Sequence, residues 1–269
     1  MRLAIVLSTH AATFDAVAYK GDFEANVSKV ASYGYDGVEP AVRDPKLVDH
    51  DGLVAAVARH GMAIPAIGTG QAWAEEGLSF TDPDPRIREK AVERIASHVP
   101  LAGKAGALII IGLVRGTVRP GVSERQAGEW MSAALGACAA TAAREGVRIA
   151  LEPLNRYETR LLNTAREGLA LIDRLGAGNL GLLLDTFHMN IEEPSIEESI
   201  RACGDRLFHF HVADSNRWHP GAGHLDFRSI IDTLRGTGYD GFVSGEFMAK
   251  PDADAAARNA LRHLRGLGY

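Results

Sequence analysis

Val147-Arg-Ile-Ala-Leu-Glu-Pro-Leu-Asn155 is the stretch on which the fold turns. An apolar run ends in a carboxylate, Glu152, and Pro153 follows at once. Proline has no backbone N–H to give to a central sheet ladder, so a strand stops here. Glu152 is thereby left at the carboxyl end of a buried strand, where an unpartnered charge is costly. The grammar recurs in Leu180-Gly-Leu-Leu-Leu-Asp185, Leu207-Phe-His-Phe-His211 and Phe242-Val-Ser-Gly-Glu246. Glu152, Asp185, His211 and Glu246 together offer three carboxylates and one imidazole, a complete ligand set for one divalent metal.

Working outward, four further apolar runs precede these, at residues 3–7, 36–40, 62–67 and 107–111. Helical patterns fall between the runs, near 23–33, 52–60, 85–104, 123–144, 164–175, 195–203, 226–234 and 252–264. Asp84, Ser123, Thr164, Ser195 and Asp226 stand where N-caps are expected, with Pro85 at a first helical position. Gly34, Gly61, Gly146 and Gly204 stand where helices should end. Near-continuous apolar strands alternating with helices are the mark of a parallel sheet covered on both faces. Eight such units predict a closed (β/α)8 TIM barrel, a single domain over residues 1–269. An open doubly wound sheet is the rival, but it cannot readily converge side chains from four successive strand ends.

The chain has 269 residues and a formal net charge of −5, which gives no electrostatic footprint for nucleic acid. Cys138 and Cys203 cannot form a disulfide framework and read as buried free thiols. The apolar start at residues 1–7 is too short for a signal-peptide core, and no run approaches a membrane span. A soluble cytoplasmic protein without a membrane partner is therefore expected.

In a barrel, residues at the carboxyl ends of the strands point into one site. The mostly oxygen ligand mix suits Mn²⁺, Mg²⁺ or Co²⁺ better than structural zinc. His209 and His211 alternate on one strand and so face the same way; His211, nearer the strand end, is the chosen ligand and His209 a structural neighbour. Glu158 and His188 follow the ligands closely, either to hold substrate hydroxyls or to bond the loops. Arg43, Arg115 and Arg217 all fall in loops after strand ends. Two readings stand for them: binding a carboxylate or phosphate, or pairing with Asp44 and neighbouring carboxylates. Gln71, with Thr69 and Gly70, follows the third run and is a weaker candidate for substrate contact.

At Leu151-Glu-Pro-Leu-Asn-Arg-Tyr-Glu-Thr159, Leu184-Asp-Thr-Phe-His-Met-Asn-Ile191 and His209-Phe-His-Val-Ala-Asp-Ser-Asn-Arg217 the chain closely resembles the ketose 3-epimerase group of the xylose-isomerase-like sugar isomerase and epimerase superfamily. Ile67-Gly-Thr-Gly-Gln71, Ile111-Gly-Leu-Val-Arg-Gly116 and Ala41-Val-Arg-Asp-Pro45 look closest to 5-keto-L-gluconate epimerases. The resemblance implies one divalent ion, Mn²⁺ ahead of Co²⁺ or Mg²⁺, on Glu152, Asp185, His211 and Glu246. It implies substrate contacts from Glu158, His188 and Arg217.

The expected reaction is epimerisation of a ketose or keto sugar acid through an enediolate, with the metal as Lewis acid. Glu152 and Glu246 serve as the base and acid on its two faces. Three fixed cations around the mouth favour a keto acid over a neutral ketose, and a homodimer or homotetramer is the expected assembly. The alternatives are an aldose–ketose isomerase of the hydroxypyruvate-isomerase kind and a non-catalytic sugar-binding barrel. An endonuclease of similar fold would need more strand-end histidines and a basic face.

Overall fold

The computed structural model describes residues 1–268. Eight strands close into a parallel barrel in chain order: β1 (Arg2–Ser8), β2 (Gly37–Ala41), β3 (Ala66–Gly68), β4 (Leu108–Ile111), β5 (Ile149–Leu151), β6 (Leu180–Asp185), β7 (Leu207–Val212) and β8 (Phe242–Gly245). The surrounding helices are α1 (Phe23–Tyr33), α2 (His50–Ala58), α3 (Gln71–Glu76), α4 (Pro85–Ala105), α5 (Glu124–Arg144), α6 (Ala165–Leu175), α7 (Thr186–Glu192), α8 (Ile196–Cys203), α9 (Phe227–Gly236) and α10 (Ala253–Gly266). The fold is the (β/α)8 barrel that the strand–helix alternation predicts.

Local chemistry sets the helix starts. Asp84 accepts from the Arg86 N–H ahead of Pro85, Ser123 accepts from Gln126, and Thr164 forms a reciprocal capping box with Glu167. Cys138 and Cys203 are buried free thiols, each pushed up to about 12 by burial. No helix among the described residues is long and apolar enough to cross a membrane.

Alternation along the strands divides the core in two. Ile67, Ile109, Ile149, Leu182 and Phe210 belong to the large cluster that packs on the helices. Ala66, Leu108, Ile110, Ala150 and Leu183 form a separate small cluster inside the barrel. Above that layer the interior turns polar. A register shift at Leu182/Leu183 brings His209 opposite Leu183 and His211 opposite Asp185, so both imidazoles share the inward phase.

Two departures from expectation have local causes. Strand β3 spans Ala66–Gly68, whereas the apolar run begins at residue 62, because Pro65 interrupts the ladder; only an isolated bridge between Gly37 and Ala63 precedes it. Helices α3 and α7 fall outside the predicted helical patterns; each is shorter than the window in which a helical period can be recognised.

Candidate active site

Glu152 and Glu246 are the first residues past β5 and β8, while Asp185 ends β6 and His211 stands one residue before the end of β7. One ligand atom from each of the four lies within 4.8 Å of the others. Glu152 reaches this space because the wall beside it is Gly112, where a Cβ would come within 2.5 Å of Glu152 Oε2. Asp185 also caps α7, accepting from the Phe187 N–H at 2.8 Å through Oδ1. That bond leaves Oδ2 free for the cluster.

The donor set fits a divalent cation. Glu152 Oε1, Asp185 Oδ2 and His211 Nδ1 are all buried without a hydrogen-bond partner, and all three belong to residues of this cluster. Burial, and then the charge of Glu246, holds Glu152 well above the ordinary carboxylate range. Burial raises Asp185 and Glu246 as well. Burial would lower His211, but Glu39, Glu246 and Glu152 carry it up to about 10. Crowding three buried carboxylates together disfavours their charged forms, and a bound cation would offset that cost.

His211 is held from behind by a residue the strand-end reading missed. Glu39, on β2 and buried, accepts from His209 Nε2 at 2.8 Å and faces His211 Nε2 at 3.0 Å through each oxygen. Burial would raise the Glu39 carboxyl, yet the two imidazoles hold it far below its usual range. With Nε2 engaged, His211 turns Nδ1 toward Glu246, 3.9 Å away. The missed signal was present in the sequence, since Glu39-Pro40 repeats the pattern of Glu152-Pro153. Glu39, His209 and His211 also lie close enough to form a ligand group of their own, but the Nε2 atoms of both histidines and the Glu39 carboxylate oxygens are already committed to one another.

His188 contributes a fixed donor. The Asn155 backbone N–H and side-chain Nδ2 both approach its Nδ1, at 3.3 and 2.8 Å, so that nitrogen accepts. Burial, then the nearby cations, keeps the imidazole neutral. Its proton therefore sits on Nε2, which has no protein partner and stands 3.8 Å from Glu152 Oε1 and 3.9 Å from Asp185 Oδ2. Arg217 spans the mouth, with Nη1 3.1 Å from Glu158 Oε1 and Nη2 3.1 Å from Glu246 Oε2. Its guanidinium lies 4.7 Å from the Phe187 ring centroid. Its backbone is left-handed, φ 59°, and is held there by bonds to Asp214 O and from the Met248 N–H.

One pocket is lined by Glu152, His211, Glu246, Glu158, His188 and Arg217, and Gln71 lines its opposite side. The other two arginines do not line it. Arg43 is tied to Glu75 at 2.9 Å and to Glu76 at 3.5 Å. Arg115 is fully buried behind the site; its Nη1 donates to the backbone carbonyl of Glu152, and burial lowers the guanidinium to about 10. Arg43 reaches past Asp44 to Glu75 on α3, a helix the sequence did not reveal, and Arg115 lies in a 3₁₀ turn that directs it inward.

Comparison with known proteins places this geometry. Residues 27–267 match the family model described as a xylose isomerase-like TIM barrel. An L-ribulose 3-epimerase of Mesorhizobium japonicum is 31% identical over 250 residues, 92% of this chain and 83% of the relative. A 3-dehydro-D-guloside 4-epimerase of Escherichia coli is 29% identical over 245 residues, 88% of this chain and 91% of the relative. The crystal structure of a D-allulose 3-epimerase from Methylomonas in complex with D-allulose superposes with a TM-score of 0.81 at 27% identity, covering 99% of both chains. The chain belongs to the xylose isomerase-like TIM barrel family, within its carbohydrate epimerases.

Proposed function

We propose that this chain is a divalent-metal-dependent 3-epimerase of a free ketose, with Glu152 and Glu246 exchanging roles as base and acid. The observation that carries the reading is that both glutamates enter one pocket, from strands three apart on the ring, and both belong to one cluster of ligand atoms. Glu152, Asp185, His211 and Glu246 would hold the ion, with Mn²⁺ proposed ahead of Co²⁺ or Mg²⁺; three carboxylates beside one imidazole suit any of these better than structural zinc. When bound, the ion supplies a Lewis acid for the ketone oxygen.

The protein's own groups do the rest. One glutamate takes the proton from the carbon beside the ketone, and the other returns a proton on the opposite face. His188 offers its Nε2–H to a substrate oxygen. Arg217 holds Glu246 in place and links it to Glu158. Arginine support for a keto acid is reduced to Arg217, already paired with two carboxylates, because Arg43 and Arg115 do not line the pocket. The 3-epimerases among the relatives favour carbon 3 and a neutral ketose for this chain. The cytoplasmic setting and the homo-oligomer stay part of the proposal, and native mass measurement tests the latter.

The test is NMR in D₂O on a panel of ketoses and keto sugar acids with Mn²⁺ and enzyme at catalytic level. The expected result is one deuteron at the inverted carbon of a ketose. An aldose product would instead make the chain an aldose–ketose isomerase, and absence of exchange would make it a binding barrel.

A further inference from the structure

The two halves of the barrel furnish the pocket unequally. The ligand cluster comes from β5 to β8, whereas β1 to β4 and the segments after them contribute mainly apolar groups such as Val6, Phe14, Ala41, Ile110 and Leu113. Among the described residues, no lysine or arginine lines the pocket from that half. Its polar side chains are nearly all committed. The Thr69 hydroxyl donates to Ile110 O at 2.7 Å, and Glu39 is taken by the two histidines.

Gln71 is the exception. It opens α3, just past β3, and is 3% exposed. Its amide orientation follows from counting hydrogens. The Ser8 hydroxyl gives its single hydrogen to His10 O at 2.8 Å, so toward Gln71, 2.9 Å away, it can only accept. Nε2 must therefore face Ser8, and Oε1 is left as a buried acceptor without a partner. A buried acceptor left unmade is costly, and such atoms in native proteins commonly have an occupant to meet. Strand β3 lies diametrically opposite β7 in the ring of eight, so Gln71 stands across the pocket from His211.

We infer that Gln71 is a specificity-determining residue whose Oε1 accepts a hydrogen bond from a hydroxyl at the end of the ketose chain remote from the ketone. This rests on the ketose reading above, in which the ketone end sits at the ligand cluster. A carboxylate at the remote end has no hydrogen to give and would set its charge against an acceptor oxygen with no cation beside it. A deoxygenated end leaves Oε1 unpaired.

The experiment takes whichever of D-psicose, D-fructose, D-tagatose and L-ribulose the Mn²⁺-loaded protein turns over fastest. It compares kcat/KM for that sugar with its terminally deoxygenated analogue and with the analogue carrying a terminal carboxylate. The wild type should favour the hydroxyl over the deoxy sugar about three- to ten-fold, chiefly through KM, and should disfavour the acid further. Gln71→Leu should erase the hydroxyl preference while Mn²⁺ affinity, read by calorimetry, stays unchanged. Equal kcat/KM for the hydroxylated and deoxy sugars in the wild type overturns the inference without recourse to a variant, as does a preference for the acid. A preference that survives in folded Gln71→Leu removes its assignment to Gln71. Absence of turnover for every ketose brings down the parent reading and this one with it, whereas turnover without discrimination brings down this one alone.

Discussion

Glu39 and His211 are joined through the interior of the barrel, with both carboxylate oxygens 3.0 Å from the imidazole Nε2. Their strands, β2 and β7, are not neighbours in the ring, so the contact is a strut across it rather than a step along the sheet. Because Nε2 is engaged, the lone pair that a metal needs is on Nδ1, which is the atom turned toward the cluster. His209 donates to the same carboxylate at 2.8 Å and thereby fixes Glu39 in its turn.

Replacing Glu39 by Gln should therefore weaken metal binding before it affects folding. An amide has one acceptor oxygen where the carboxylate serves two imidazoles, so at least one ring must turn or change tautomer. Loss of such an outer partner typically costs about 10–100-fold in metal affinity. Calorimetric titration of the metal-free variant with Mn²⁺ reads this directly; an unchanged dissociation constant would show that Glu39 only fills space.

Glu152→Gln and Glu246→Gln should each reduce epimerisation by about 10²–10⁴-fold with the fold retained, since an amide keeps the volume but cannot carry the proton. Circular dichroism and deuterium exchange at the substrate carbon separate loss of chemistry from loss of structure. Wild-type turnover in either variant removes that residue from the acid–base pair.

Exhaustive chelation should abolish turnover, and Mn²⁺ should restore it. The same ion should raise the melting temperature, because a ligand that binds only the folded chain stabilises it by about 2.7 kcal/mol at 100 times its dissociation constant. Turnover that survives chelation would contradict the metal requirement.

The strand ends were legible because buried parallel strands are apolar, so an ionisable residue at the close of each run stands out. That contrast exposed Glu152, Asp185, His211 and Glu246, which lie together in the structure. Glu39 has the same Glu-Pro signature, but nothing within its own strand marks it out, because its role depends on β7 reaching it across the barrel. The positions of Arg43 and Arg115 were not legible either. Loop membership says only that a side chain is near the mouth; whether it turns in, turns out or pairs with a helix such as α3 is decided by backbone geometry that no periodicity encodes.

Asp214 organises the loop that presents Arg217, accepting from the backbone N–H groups of Ser215 at 2.8 Å, Gly221 at 2.9 Å and Leu225 at 3.2 Å. Burial would raise its carboxyl, but these bonds outweigh it and the pKa is lowered. A group depressed in the folded state stabilises fully above its unfolded value, near 3.9, and loses that contribution as pH falls through the folded value. Asp214→Asn should therefore melt below the wild type at neutral pH, with the gap closing below about pH 4. A gap that is constant across melting curves from pH 7 to pH 3 would assign the loss to packing instead of charge.

The three arginines should separate cleanly by substitution. Arg43, one-third exposed and paired with Glu75 and Glu76, should tolerate Ala with no more than a few-fold change in kcat/KM, since such pairs contribute roughly 0–1 kcal/mol. Arg115→Ala removes the donor to the Glu152 carbonyl, so it should disturb the placement of Glu152 and lower kcat/KM for acid and neutral substrates alike. Arg217→Ala frees Glu158 and Glu246 together, and loss of a charged hydrogen bond worth about 1.5–3 kcal/mol corresponds to roughly ten- to a hundred-fold in kcat/KM. Lysine at 217 should recover only part of this, because a single ammonium does not reproduce the fork that spans two carboxylates. The deciding measurement is kcat/KM for a matched ketose and keto sugar acid in all four variants. A loss confined to the acid in Arg43→Ala or Arg115→Ala would mean that these guanidiniums reach the substrate after all, and a keto sugar acid would then replace the neutral ketose.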